Sequence, residues 1–384
     1  MLNLPSSSHS TKWYNPIVKN GIEVLLTIEM VQISKDQEEH ALALHKKALV
    51  VDFHNDAIGA TLPDSAYRAS SSEARTLSER STKGHVDIPR LLEGGVDCQV
   101  FSHWVEPIYL RIAPERMLQI LAYSFSEIEK SDRLSLVTKY DEIIKNNGKK
   151  ISFIIGFEGG EAIEQDLRHL RIFHRLGLRR LTLCWNNRNA IADGVRWQRS
   201  KGGLTEFGIS VVEECNKLGI LVDVSHITDA GFRDAIEVSK DPIIASHSNC
   251  RALSSSMRNL TDDMMKALAE KGGVQGVNYV PGFLINLEMQ KINSGDKEEL
   301  KKADKATVET VVDHIDHIVE VTGSTNNIGL GSDFDGVSMV AKGLEDVSKL
   351  PNLTKSLVAR GYSDQEIEKI LGGNFLRVIR EVWK

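Results

Sequence analysis

Apolar and polar positions divide this chain into short apolar runs separated by longer stretches with helical spacing. Between residues 37 and 49, Ala41, Leu44 and Ala48 recur every three to four positions, which predicts an amphipathic helix. The apolar run Leu49 to Phe53 follows and predicts a strand. Further apolar runs predict strands over 95–101, 151–157, 180–185, 220–225, 242–246, 274–280 and 327–332. Helical spacing falls between them, over 114–130, 161–176, 207–218, 228–238, 261–271 and 306–321, with a closing helix over 363–382. Gly177 and Gly219 stand just past two of these helices, where glycine is favoured. Thr261, Asp262 and Asp263 open another, because a hydroxyl cap and acids suit the first turn. Two polar stretches interrupt the rhythm. Residues 57–83 are rich in Ser and Arg and are expected to be a functional or disordered loop, and residues 290–305 an insertion.

The strands read as continuous apolar runs, as strands do when both faces are covered. Eight of them alternating with helices predict an α/β fold, a single-domain (β/α)8 TIM-like barrel over residues 35–384. An open doubly wound sheet is the competing arrangement, but the Gly-rich fingerprint of a dinucleotide site is missing. Residues 1–34 are polar and Ser-rich without clear periodicity and are expected to be a poorly ordered N-terminal extension. Met30 opens the more orderly sequence, and an upstream start codon would account for the residues before it.

Composition narrows the partners. The chain has 384 residues and a net charge of −6 with no basic block, which argues against a nucleic-acid partner. No stretch is long and apolar enough to span a membrane. Glu23 and Glu29 interrupt the apolar segment 22–31, unlike a secretory leader, and the C-terminal residues do not resemble a lipid-anchor tail. Cys98, Cys184, Cys215 and Cys250 are scattered, which disfavours a disulfide framework or a thiolate zinc site and fits a reducing compartment. A soluble cytoplasmic protein without membrane or nucleic-acid partners is expected.

Chemistry gathers where the strands end. In a barrel of this type catalytic groups sit at the C-terminal ends of the strands. Five strands end in a potential ligand or proton carrier: His54 and Asp56 on the first, Glu158 on the third, His226 on the fifth, His247 on the sixth and Asp333 on the eighth. His54 and Asp56, two apart, project from the same face of a strand end. Imidazole and carboxylate donors suit a divalent metal of the zinc type. A carboxylate can bridge two metals through its two oxygens, and Glu158 is the natural candidate. Two cations roughly 3.5–4 Å apart hold a hydroxide between them and lower its pKa, and one polarises the carbonyl under attack. Asp333 would take the proton from that water and pass it to the leaving amine. Plainer roles stand beside these: His226 as a core histidine, Glu158 as a helix cap, Asp333 and Asp335 as turn residues, Arg258 as a surface residue. His314 and His317 lie on a helix expected outside the barrel, and His103 ends the second strand beside the pocket.

Six pieces together resemble the renal (membrane) dipeptidase family, peptidase family M19, a branch of the amidohydrolase-like metal barrels. They are Asp52-Phe53-His54-Asn55-Asp56, Phe157-Glu158-Gly159-Gly160, Asp223-Val224-Ser225-His226, Ala245-Ser246-His247-Ser248, residues 257–263 from Met257 to Asp263, and Gly331-Ser332-Asp333-Phe334-Asp335-Gly336. The resemblance covers the chain from about residue 40 to its end, in family order. It implies two zinc ions, one held by His54, Asp56 and Glu158 and the other by Glu158, His226 and His247. It also implies Asp333 as proton shuttle, Arg258 as the clamp for a dipeptide's terminal carboxylate, tolerance of a C-terminal D residue, and a homodimer. A guanidinium fork suits a carboxylate. One departure stands out: Trp185 takes the place where the animal enzymes carry a histidine facing the developing oxyanion, and the adjacent Asn186 is the candidate substitute. The alternative function is a metal-dependent hydrolase of the same barrel acting on another amide, a lactone or an acyl amino acid. A metal-binding protein without catalysis is disfavoured by the intact Asp333.

Overall fold

Eight parallel strands close into a barrel in this computed structural model, which describes residues 13–19, 22–28, 33–65 and 75–384. The barrel strands are β1 (Val50–Asn55), β2 (Val96–His103), β3 (Ile151–Glu158), β4 (Leu178–Thr182), β5 (Leu221–Asp223), β6 (Ile244–Ala245), β7 (Val274–Val277) and β8 (Ile328–Leu330). Each pairs in parallel with its neighbours in the order β2-β1-β8-β7-β6-β5-β4-β3, and β2 pairs with β3 to complete the ring. The closing register runs from Cys98 opposite Ser152 to His103 opposite Phe157. A short strand unforeseen from the sequence, Leu134–Leu136, borders the first three residues of β3.

Strands β5, β6 and β8 stop earlier than their apolar runs. Two buried aspartates explain this by capturing backbone N–H groups that a ladder would otherwise use. Asp223 Oδ1 accepts from the amides of Ser225 and Ser246 at 3.0 and 2.9 Å. Asp52 Oδ1 accepts from the amide of Ser332 at 3.0 Å. The chain therefore leaves the ladder just before His226, His247 and Asp333.

The helices follow their local signals. Helix Lys35–Lys47 begins two residues before the expected start because Ser34 and Gln37 form a reciprocal capping box. The predicted helix 161–176 is divided, since Glu164 adopts φ 52° and Asp166 caps a fresh helix, Leu167–Arg175. The closing helix is also interrupted, by a wide turn over Lys369–Gly373. There Gly372 passes so close to β1 that a Cβ would lie 2.1 Å from the Leu49 carbonyl. Its last segment, Asn374–Val382, packs Phe375, Val378, Ile379 and Val382 against Val51, Phe53, Val100, Ile154, Leu221, Ile244 and Val274. Phe53 and Phe375 stack with ring centroids 3.7 Å apart. This cluster fills the barrel below the C-terminal ends of the strands. The insertion after β7 holds two short helices, Met289–Asn293 and Lys297–Ala303.

Within the segment expected as an N-terminal extension, Trp13–Lys19 and Ile22–Ile28 pair as a separate antiparallel sheet. Residues 1–12, 20–21 and 29–32 of that segment, and residues 66–74 of the polar loop after β1, lie outside the described residues. Among the described residues, no helix is long and apolar enough to cross a membrane.

Glycine lets β8 approach β6. A Cβ on Gly331 would sit 1.9 Å from the Ser246 carbonyl and 3.1 Å from the His247 Cα. Gly331→Ala is therefore expected to destabilise the protein by about 1–3 kcal/mol through overpacking. Urea denaturation would read this as a lowered midpoint at unchanged slope.

Candidate metal centre

The five strands named from the sequence bring their ends to one rim. His54 lies in β1, Asp56 begins the short helix Ala57–Thr61, and Glu158 ends β3. His226, His247 and Asp333 follow β5, β6 and β8 by two or three residues. All are buried except Asp56, which is half-buried. His54 Nε2 lies 3.2 Å from Asp56 Oδ2, 3.8 Å from Glu158 Oε2 and 3.7 Å from Asp333 Oδ1. Glu158 turns its other oxygen the opposite way: Oε1 is 2.9 Å from His226 Nε2 and 3.7 Å from His247 Nε2. The two Nε2 atoms of His226 and His247 are themselves 2.9 Å apart. Donor atoms of His54, Glu158 and His247 converge closely enough to share one metal ion, and so do those of His54, Asp56 and Asp333.

Backbone geometry aims two of these groups. His226 and Asp333 adopt φ 71° and 63°, in the left-handed region. For residues other than glycine this costs about 1–2 kcal/mol each. Such conformations persist where surrounding contacts impose them, often at functional sites. Asp333 is further fixed by Asn278, whose Nδ2 donates to its Oδ2 at 2.8 Å.

A layer of hydrogen bonds beneath orients the imidazoles. Each Nδ1 has an oxygen partner: Ser102 Oγ for His54 at 3.2 Å, Asn186 Oδ1 for His226 at 2.8 Å, and Ser246 Oγ for His247 at 2.7 Å. With Nδ1 engaged, each Nε2 faces the cluster, the arrangement that ligating histidines adopt. The buried Arg180 joins these supports. Its guanidinium donates to Ser102 Oγ at 2.9 Å, to Asp223 Oδ2 at 3.1 Å and to Thr182. Asp223 also accepts from Ser246 Oγ at 2.6 Å, and Asp52 from Ser332 Oγ at 2.6 Å. The sequence reading assigned no role to Arg180, Ser102, Ser246, Asn278, Asp52 or Asp223. The available signal was a charged residue inside an apolar strand: Asp52 in β1 and Arg180 in β4.

Electrostatics follow from this crowding. Burial disfavours a charged His54, but the Asp56 and Glu158 carboxylates outweigh it and raise its pKa to about 9. Burial likewise opposes ionisation of Glu158, yet His54 and His226 hold it below the usual carboxylate range. Burial and the Glu158 charge push Asp56 well above that range. Burial, with Arg258 for His226 and His54 for His247, lowers both imidazoles, His226 to about 4. Neutral His226 and His247 beside an ionised Glu158 are donors that divalent cations take, and a cation bound there would displace the protons that His54 and Asp56 otherwise hold. The residues present fit a metal centre.

A cavity of about 710 Å³ opens over the cluster, a size typical of small-molecule sites. Arg258, Trp185 and Asn186 line it, as do Trp104, Arg196 and Phe283. Arg258 is buried: Nη2 donates to the His247 carbonyl at 3.3 Å, and Nε has no partner among the described residues. His103 is absent from the lining; its Nε2 meets Ser124 Oγ at 2.8 Å, and burial lowers its pKa to about 4. His314 is a core residue bonded to the Cys250 amide and the Leu284 carbonyl, and His317 pairs with Asp262. Asp335 is more than a turn residue, since it forms a buried ion pair with Arg75 and accepts from the His85 amide at 2.7 Å.

A closed (β/α)8 barrel with a buried imidazole–carboxylate cluster at the C-terminal ends of its strands defines the class of metal-centre barrels. Within that class the chain belongs to the membrane dipeptidase family, peptidase family M19, whose model matches residues 38–384. It is 33% identical to dipeptidase 3 of Mus musculus over 357 residues, covering 90% of this chain and 66% of that protein. The chain thus spans just under two-thirds of that relative's length. It is 32% identical to dipeptidase tcpJ of Claviceps purpurea over 371 residues, covering 93% of this chain and 79% of that one. Its structure is similar to that of a metallopeptidase from Rhodobacter sphaeroides liganded with a phosphinate mimic of the dipeptide L-Ala-D-Ala. The TM-score is 0.75 and the identity 28%, over 88% of this chain and 99% of that one.

Ser246 touches both His247 and Asp223, so its removal should loosen the His247 imidazole, a candidate metal ligand, without emptying the core. Ser246→Ala is expected to weaken metal affinity about 10- to 100-fold. Competition with a chromophoric chelator would measure it.

Proposed function

We propose that the protein is a metal-dependent dipeptidase with two divalent cations of the zinc type, bridged by Glu158. The observation that carries this reading is the division of the Glu158 carboxylate, with Oε2 toward His54 and Oε1 toward His226 and His247. On this reading His54, Asp56 and Glu158 hold one cation, and Glu158, His226 and His247 the other. Bound there, the cations would polarise a carbonyl and lower the pKa of water.

The remaining work falls to the chain. Arg258 binds the dipeptide's terminal carboxylate: a buried guanidinium with an unmatched Nε–H, beside the cluster, calls for an anion. Asp333 takes the proton of the attacking water and returns it to the leaving amine. Its contact with Asn278 and its left-handed backbone hold the carboxylate toward His54. Asn186 keeps His226 oriented through Oδ1, and its Nδ2 has no hydrogen-bond partner among the described residues. That amide donates to the scissile carbonyl oxygen as it gains charge, a role for which Trp185 offers only an indole N–H. The L-Ala-D-Ala mimic bound by the Rhodobacter metallopeptidase supports acceptance of a C-terminal D residue. Four buried free thiols support a reducing, cytoplasmic setting. Assembly as a homodimer is proposed from the family resemblance, and the exposed Ile108, Leu110 and Ile112 offer an apolar surface for it.

A panel of L-X-L-X and L-X-D-X dipeptides tests the reading. Metal-loaded protein should hydrolyse members of the panel, lose activity on dialysis against a chelator and recover it with zinc. Elemental analysis should give two metals per chain. Two bound metals with no dipeptide turned over would redirect the assignment to acyl amino acids or lactones. Asp333→Asn should retain its metal while kcat falls about 10²- to 10⁴-fold; metal lost along with activity would make Asp333 a ligand instead. Arg258→Met should raise KM about 10- to 100-fold, the magnitude of a lost charge-assisted contact, with kcat less affected.

A further inference from the structure

We infer that Arg196 forms a second anion subsite, so that the preferred dipeptides carry an Asp or Glu side chain in addition to their terminal carboxylate. The inference rests on the dipeptidase reading and deepens it.

A count of charges on the cavity wall leads there. Among the described residues, five carboxylates line the cavity. Asp56, Glu158 and Asp333 point into the metal cluster. Glu106 is bound by the buried Arg116 at 2.8 Å, and Asp335 by Arg75. Of the described residues, two with guanidinium groups share the wall, Arg258 and Arg196. Neither is in an ion pair among the described residues, whereas the nearby Arg188 and Arg251 pair with Asp193 and Asp229. A simple dipeptide brings one carboxylate, and Arg258 takes it. The charge of Arg196 is then left facing the cavity without a counterpart.

Arg196 is also held in place. Its backbone N–H donates to the Asn186 carbonyl at 3.0 Å, and the preceding residue, Val195, donates to the His226 carbonyl at 2.8 Å. Its guanidinium lies over the Trp185 ring, 5.4 Å from the centroid. Trp185 in turn lies beside His226, with centroids 6.0 Å apart. A flexible cation is thus tethered at both ends, by backbone to the metal-ligand loop and by its head to the aromatic wall. Trp185, the departure from the animal pattern, becomes the platform that aims Arg196. Because Arg196 is exposed, solvent screens its pairing and the preference is moderate.

Isosteric acid and amide pairs isolate the charge from side-chain size. With zinc-loaded protein, kcat/KM would be compared for Ala-Glu against Ala-Gln and for Glu-Ala against Gln-Ala, in L,L and L,D forms. At least one acid should be favoured about three- to fivefold at low salt, mainly through KM, and the advantage should shrink with added salt. Arg196→Met should bring that ratio to about one, and Arg196→Glu should reverse it. A wild-type ratio of one in every pair, or one unchanged in Arg196→Met, overturns the subsite and leaves the dipeptidase reading standing. Hydrolysis of no dipeptide, Ala-Ala included, overturns both.

Discussion

Three carboxylates and three imidazoles share one largely buried volume, and that crowding constrains the rest of the structure. A buried charge is tolerated only with a partner, and like charges a few ångströms apart raise one another's cost. The Glu158 side chain relieves part of it by facing one imidazole with one oxygen and two with the other. What remains is a set of donors whose protonation demands conflict: His54 is driven toward its charged form, while His226 and His247 are driven from theirs. A divalent cation resolves that conflict without any proton having to be shared.

The supports beneath the cluster are built from the same kind of compromise. Arg180, Asp223 and Asp52 are buried in strands where an apolar side chain would pack at no electrostatic cost. Each instead fixes a strand end. Asp52 and Asp223 hold the amides of Ser332, Ser225 and Ser246, which ends the ladder and turns the following residues toward the rim. Arg180 neutralises Asp223 and reaches the hydroxyl that steadies His54. Removing one partner of such a buried pair commonly costs about 3–5 kcal/mol, because the other charge is left uncompensated. The fold thus gives up some stability of its own to fix the direction of three imidazoles.

The barrel and the members of the cluster were legible in the sequence because both follow from local pattern. Apolar runs bounded by helices specify strands, and a ligand-type residue directly after a strand is placed by the geometry of the fold. Three things were not legible. The strand at Leu134–Leu136 is too short to show periodicity. The break at 164 comes from the turn at Glu164 and the fresh cap at Asp166, the one at 369–373 from the close approach of Gly372 to β1, and both leave the apolar spacing intact. The roles of Ser102, Ser246 and Asn278 depend on which oxygen or nitrogen of a residue far away in sequence each one meets. His103 and His314 illustrate the converse, since a strand end or a helical pair of histidines draws notice, yet both are satisfied inside the core.

The stacking of Phe53 on Phe375 ties the first barrel strand to the last helix, and β1 also pairs with β8. One edge of the earliest barrel strand pairs with β2, but its other edge and its stacked Phe53 therefore find their partners only in the latest part of the chain. During synthesis the apolar face of β1 and the imidazole of His54 leave the ribosome more than 250 residues ahead of Asp333 and the helix that covers them, as their positions in the chain require. Contacts of such sequence separation slow folding. Until the ring closes, every member of the cluster except Asp333 sits on an open, incomplete sheet, so the cluster as a whole forms only when the entire chain is available.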